Sequence, residues 1–227
     1  MKGIQDSTNN FIISKALPIK RLQGGKQPDI RSPISLDLLE KITAVLDKVC
    51  KDKYEATLSA TAFSIVFFGL LRVGEITSSR NQSFNNASLK LQDITVYEKS
   101  VELRIRWSKT DQKGRSVKLC IPGNGKIYCP LELIKNYLLR RPCCSSENLF
   151  IYFNHMPLTR YQFTSVLKKA LNLFNIEKGH FRSHSFRIGG ATELARQGVP
   201  EKEIMKLGRW QNFAYSSYIR LNFSSFN

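Results

Sequence analysis

The stretches His184-Ser185-Phe186-Arg187, Gly208-Arg209-Trp210 and Tyr218-Ile219-Arg220 decide the reading of this chain, together with Leu70-Leu71-Arg72-Val73-Gly74-Glu75 far upstream. A phosphodiester under attack passes through a five-coordinate phosphorus carrying about one extra negative charge. Fixed cations and hydrogen-bond donors must meet that charge where no metal does. Arginine suits the task, because its planar fork binds two phosphate oxygens and keeps its charge. Arg72 follows an apolar stretch that a rigid helix would hold, and Glu75, three residues on, can orient its guanidinium. His184 and Arg187 are also three apart, at the start of an expected helix. Both should face one way, and the helix N-terminus adds donors for an anion. Gly189 and Gly190 follow and permit a close backbone approach. The indole N–H of Trp210 can only donate, and Tyr218 is a phenol that nearby cations can turn into a nucleophile.

Each of these residues also has a plainer reading. Arg72 and Glu75 make a surface ion pair, His184 and Arg187 are structural, Trp210 is an apolar anchor, and Tyr218 or its neighbour Tyr215 plugs the core. Lys109, in Ser108-Lys109-Thr110-Asp111-Gln112, sits on an expected turn, where a lysine is ordinarily solvated.

The hydrophobic periodicity of the chain gives the frame. Leu38, Leu39, Ile42, Val45, Leu46 and Val49 repeat at helical spacing behind Ser35, a good N-cap, and Asp37 suits the first turn. A second helix is expected over residues 57–71, nearly all apolar from 63 onward, as at the centre of a core. From Leu89 the period changes to two. Residues 91–97 read as one strand; Val101, Leu103, Ile105 and Trp107 alternate with Glu102, Arg104 and Arg106 in a second. After turn residues at 108–114, Val117, Leu119 and Ile121 give a third strand, completing an antiparallel meander. Helices resume over 130–140, 160–174 and 184–197; Gly198 stands at a helix C′ position, and Pro200 opens a further helix that ends near Gly208. The expected fold is α+β: a mostly helical domain over residues 33–227, with a small three-stranded antiparallel sheet inserted after its second helix. Residues 1–32 are polar, basic and broken by Pro18, Gly24, Gly25 and Pro28, and read as an arm.

Composition narrows the function. Lys and Arg outnumber Asp and Glu by 35 to 18 among 227 residues, giving a formal charge of +17 spread along most of the chain. A folded body with that charge has a polyanion as its natural partner. No apolar run reaches the length that spans a bilayer, and the polar first ten residues are no signal peptide. The cysteines, Cys50, Cys120, Cys129, Cys143 and Cys144, are odd in number and form no Cys-x-x-Cys pair. That argues against a disulfide framework or a zinc site and for reduced thiols in a cytosolic or nuclear protein.

In order and spacing these elements resemble the tyrosine recombinases, or phage-type integrases. There the first arginine comes in a Leu-Arg-x-x-Glu element after a buried helix and the lysine on a β-hairpin turn. His-x-x-Arg opens a later helix, a Gly-x-His/Trp element follows, and the tyrosine comes last. The resemblance covers about residues 33–222. The strings Leu207-Gly208-Arg209-Trp210, Tyr218-Ile219-Arg220 and Phe68-Gly69-Leu70-Leu71-Arg72-Val73-Gly74-Glu75-Ile76 look most like those of eukaryotic DIRS-type and Crypton-type mobile elements.

The resemblance implies that family's catalytic-domain fold and a metal-independent cleavage and rejoining of DNA, in recombination or integration, through a 3′-phosphotyrosyl intermediate. Arg72 and Arg187 would clamp the scissile phosphate, with Glu75 orienting Arg72. His184 would assist proton transfer, Trp210 would donate to a non-bridging oxygen, Lys109 would protonate the leaving 5′-hydroxyl, and Tyr218 would attack. No cofactor is called for. The partner would be double-stranded DNA, with self-association on it, and neither a membrane nor a small-molecule substrate; the place of work would be the nucleus. Tyr218 is preferred to Tyr215 because Tyr-Ile-Arg matches the family string, although the step from Trp210 is one residue shorter than in many members. The arm reads as the remnant of a core-binding domain, and only nine residues follow Tyr218. The alternative is therefore a truncated or domesticated DNA-binding module without productive recombination, and a third reading is a generic basic helical protein.

Overall fold

Ser35 accepts from the Leu38 amide at 3.2 Å and so caps α1, Leu36–Ala44, which buries Leu38, Leu39 and Ile42. The computed structural model describes residues 30–78, 88–106, 116–176, 180–211 and 213–221, the side chains of 213 and 214 excepted. Contacts divide the chain into Met1–Ile30 and Arg31–Asn227, and every element named here belongs to the second unit. The arm expected over residues 1–32 lies almost wholly outside the described residues.

The first expected helix is two. Thr43 turns its hydroxyl back onto the Leu39 carbonyl at 2.7 Å, a bond that bends helices, and α1 stops at Val45 before α2, Leu46–Val49, resumes. Asp52 then caps α3, Lys53–Phe68, by accepting from the Glu55 amide at 2.8 Å. This helix starts earlier and ends sooner than residues 57–71. Every residue from Leu58 to Phe67 is buried, because α1, α2 and three later helices all pack on it. It ends where Leu70 takes a left-handed conformation, φ 44°, and the Leu71 amide reaches back to the Val66 carbonyl at 3.0 Å.

The sheet follows α3, as expected, in the order β1-β2-β3 and antiparallel throughout. β1, Ile94–Val96, is shorter than the strand read over 91–97, since Leu91–Asp93 form a 3₁₀ turn. Asp93 accepts from the Lys90 amide at 2.9 Å and from Arg106 Nε at 2.5 Å. Those local bonds win the backbone away from an extended strand. β2, Ser100–Ile105, and β3, Val117–Pro122, pair Leu103 with Leu119 and bury Val101, Leu103, Ile105, Leu119 and Ile121 on one face. Trp107 and the turn between them, with Lys109, lie outside the described residues.

Four further helices follow among the described residues: α4, Pro130–Arg140; α5, Arg160–Leu173; α6, His184–Arg196; and α7, Glu201–Gly208. Phe63 of α3, Phe163 of α5 and Phe186 of α6 meet with ring centroids 4.8 to 5.3 Å apart, fixing α6 against the central helix. Gly198 follows α6 at φ 75°, as a C′ glycine should, and Pro200 caps α7. A final 3₁₀ turn, Phe213–Tyr218, packs back on α6. None of the described helices is long and apolar enough to cross a membrane.

Candidate active site

The end of α3, the start of α6 and the end of α7 meet at one carbonyl. Leu70, freed from the helix by its left-handed turn, accepts from Nη1 of Arg187 and, at 3.2 Å, from Nη2 of Arg209. Arg187 is fully buried; its Nη2 donates to the Gly208 carbonyl, and among the described residues its Nε has no acceptor. Burial, then the nearby Arg209 and Arg72, pull its guanidinium below the usual arginine range.

Arg72 precedes a 3₁₀ turn, Val73–Glu75, rather than continuing a helix, but the expected contact with Glu75 exists. The Arg72 amide donates to Glu75 Oε2 at 2.8 Å and its Nη1 to Oε1 at 3.3 Å. Glu75 is 6% exposed and Arg72 23%, so this is no surface pair. The same carboxylate has a second guanidinium, Arg209 Nη2, at 2.8 Å from Oε2. Three arginines thus gather round one buried carboxylate among the described residues, leaving an excess of positive charge that an anion would relieve.

The aromatic residues lie over this cluster. Trp210 sits with its ring centroid 4.3 Å from the Arg187 guanidinium carbon, and Tyr218 at 5.5 Å. The two rings are 5.0 Å apart, and both pack against the small apolar cluster of Leu70, Ala191 and Ile204. Trp210 is therefore an anchor as well as a neighbour of the cations. Gly208 makes room for it: a Cβ there would stand 1.7 Å from the indole. Thr192 on α6 holds the tyrosine segment, donating to the Tyr218 carbonyl at 3.3 Å and accepting from the Arg220 amide at 3.0 Å. Tyr215, by contrast, is buried, and a bond to Glu201 raises its pKa.

His184 opens α6, half-buried, with its ring centroid 6.4 Å from that of Tyr218. His184 and Arg187, expected to face one way, both lie beside the Tyr218 ring, but at different depths: Arg187 is fully buried and His184 stays half-buried. Gly189 and Gly190 serve close approach within the protein, to the backbones of Ile34 and Phe67. Burial first, then Arg31, Arg187, Arg160 and Arg72, push the His184 imidazole down to about 4. It is neutral at pH 7. Unfolded, it would titrate near 6.5, so on acidification the unfolded chain takes up a proton that the native state refuses. Its contribution is whole above about pH 6.5 and is lost as pH falls toward about 4. His184→Gln should accordingly flatten the pH dependence of the urea midpoint in that window. An unchanged slope would mean that the imidazole is solvated.

Sequence reasoning missed Arg209 and Arg160. Arg160, the first residue of α5, is exposed, and its Nη2 lies 3.4 Å from where a Cβ on Gly74 would stand, next to Arg72. Nothing local in sequence signals it, since only the fold brings α5 to the Arg72 turn. The signal for Arg209 was its place one residue past Gly208, at a helix end where a left-handed residue is usually glycine. Lys109 lies outside the described residues.

The sequence pattern of the phage integrase family matches residues 34–224. No curated protein is detectably similar in sequence. Among solved structures, the chain is similar to the XerH site-specific recombinase bound to its difH substrate before cleavage, at a TM-score of 0.65 and 15% identity, over 85% of this chain and 51% of that one. It is similar to a lambda integrase dimer bound to a COC' core site at a TM-score of 0.59 and 17% identity, over 87% of this chain and 50% of that one. For the Tn1549 transposon integrase in complex with circular intermediate DNA, the TM-score is 0.56 and the identity 16%, over 89% and 64% of the two chains. This chain thus spans about half to two-thirds of the proteins it matches, and at such identities the likeness is one of fold.

Proposed function

The chain belongs to the phage integrase family and has the catalytic-domain fold of the tyrosine recombinases, and from that premise we propose that it cuts and rejoins double-stranded DNA through a covalent tyrosyl intermediate. The observation that carries this reading is the gathering of Arg72, Arg187, His184 and Tyr218, from distant parts of the sequence, in one cluster with an excess of positive charge. The printed descriptions of the similar recombinases, several of them bound to DNA, support a DNA partner.

Tyr218 Oη attacks the scissile phosphorus and passes its proton to His184, the P–O5′ bond breaks, and the leaving 5′-oxygen takes a proton from Lys109. The product is a 3′-phosphotyrosyl bond, and a 5′-hydroxyl attacking it restores the strand without ATP. Arg72 and Arg187 meet the charge that builds on the phosphoryl oxygens, and the Trp210 indole donates to one of them. Arrival of the phosphate also offsets the arginine field at His184. The imidazole, held too weak a base in the free protein, gains basicity when the substrate is in place. Because Trp210 lies over the Arg187 guanidinium, that engagement requires the segment from Trp210 to Tyr218 to shift. No step calls for a cofactor or a metal. The Leu-Gly-Arg-Trp and Tyr-Ile-Arg strings support an origin in DIRS-type or Crypton-type mobile elements, with action in the nucleus and self-association on DNA.

Covalent trapping tests the reading. The purified chain is mixed with a pool of nicked duplexes whose cleavage releases a short strand, and the products are run on a denaturing gel. The expected result is a protein–DNA adduct that Tyr218→Phe abolishes and Tyr215→Phe retains. An adduct that survives Tyr218→Phe overturns the assignment of the nucleophile. Salt-sensitive binding without any adduct selects instead the DNA-binding module without recombination.

A further inference from the structure

Arg209 has no part in the chemistry above, yet it is held in a costly way. It is a non-glycine residue in the left-handed region, φ 56° and ψ 41°, which crowds an L side chain. Its side chain is 5% exposed, so it carries its charge into the core. Its contacts explain the placement. Nη2 donates to Glu75 Oε2 at 2.8 Å and to the Leu70 carbonyl at 3.2 Å, and Nη1 donates to Leu207 at 3.2 Å and to Gly69 at 3.5 Å. Glu75 is also the acceptor of Arg72, and Leu70 is also the acceptor of Arg187. One guanidinium therefore shares an acceptor with each of the two arginines that face the phosphate in the reading above.

We infer that Arg209 is a positioning residue, which sets where the guanidiniums of Arg72 and Arg187 stand by filling Glu75 Oε2 and the Leu70 carbonyl between them. The inference rests on the proposed reaction for its consequence and on the shared acceptors for its geometry. With Oε2 taken by Arg209 and by the Arg72 amide, the Arg72 guanidinium reaches Glu75 through Nη1 alone, at 3.3 Å, and among the described residues the rest of its fork stays uncommitted, ready for an anion. Without Arg209 a buried carboxylate would face Arg72 alone and draw it inward into a bidentate pair. Arg187 is held the other way, by repulsion from Arg209 across the carbonyl they share. The same left-handed turn sends Trp210 back over Gly208 and onto Arg187.

The test compares Arg209→Met and Arg209→Lys with the native chain in four measurements: thermal melting, duplex affinity at fixed salt, the trapping rate and the His184 titration by NMR. Burial first, then Arg31, Arg187, Arg160 and Arg72 lower the proton affinity of His184, so in a folded variant its titration responds to where those cations stand. Arg209→Met should slow adduct formation about 100-fold while duplex affinity stays within about threefold. Its His184 titration should move upward as Arg72 withdraws toward Glu75. Arg209→Lys keeps a cation on Glu75 but cannot also fork to Leu70, so it should recover part of the rate. A folded Arg209→Met with a native titration and a rate within about threefold of native overturns the inference. Should Arg209→Met fail to fold, Arg209→Lys decides by the same two readouts. If the native chain forms no adduct at all, the proposed reaction fails, while the His184 titration still judges Arg209.

Discussion

Arg187→Met is expected to slow strand cleavage by about 100-fold or more while leaving the domain folded, and that pairing separates a catalytic cation from a structural one. Two opposing effects of similar size act on the fold. Removing Arg187 takes a donor from the carbonyls of Leu70 and Gly208, and a buried acceptor left unmet costs about 1–3 kcal/mol. Leu70 keeps its bond from Arg209, which limits the loss to little more than one carbonyl. Against this, a fully buried guanidinium beside Arg209 and Arg72 carries a desolvation and repulsion cost of about several kcal/mol, which methionine removes at similar volume. The urea midpoint should therefore place Arg187→Met within about 2 kcal/mol of native, on either side. The trapping rate should fall about 100- to 1,000-fold, as for loss of one donor to a developing phosphoryl charge. Arg187→Lys should be nearly as inactive, since an ammonium cannot span both carbonyls and still present a fork. A loss above about 4 kcal/mol in Arg187→Met would mean that the residue is chiefly a strut for α6 and α7.

The sequence made the order of the site legible, but not its depth. Arg, His, Arg, Trp and Tyr could be read as a set because their spacing survives in one dimension. The meander could be read because its period of two is local. What stayed hidden was which guanidinium turns inward. Arg187 looks identical to a surface residue on a helix, and only the packing of Phe186 against Phe63 and Phe163 directs it into the core. Glu75 was legible as the partner of Arg72, but its pairing with Arg209 spans 134 residues and depends on a left-handed turn at a helix end. The errors in element ends have local causes of the same kind. Thr43 and Asp93 each bond a nearby backbone group, stopping a helix and shortening a strand that periodicity alone would have continued.

Gly189→Ala should be severely destabilising, although it adds one methyl to a helix. On propensity alone alanine in place of glycine within α6 gains about 1 kcal/mol. The site reverses that sign. A Cβ at Gly189 would stand 1.8 Å from the Ile34 carbonyl oxygen, and one at Gly190 would stand 2.3 Å from that of Phe67. Both obstacles are backbone and cannot swing aside. The Ile34 amide is itself tied to the Ser185 carbonyl at 3.0 Å, so the segment before α1 cannot retreat without breaking that bond. Either α6 must lift from α3 or the leading segment must leave α6, and each exposes part of the Phe63, Phe163 and Phe186 cluster. Overpacking of this kind costs about 3 kcal/mol or more, which outweighs the propensity gain and should drop the urea midpoint steeply or prevent folding. Gly198→Ala is the control: nothing lies within 4 Å of its Cβ, and only its φ of 75° penalises the change, by about 1–2 kcal/mol. A Gly189→Ala chain as stable as Gly198→Ala would show that α6 does not ride on the backbone of its neighbours. The consequence for function follows from the same contact. Lifting α6 carries Arg187 off the Leu70 carbonyl. A Gly190→Ala chain that still folds should therefore lose adduct formation before it loses affinity for DNA.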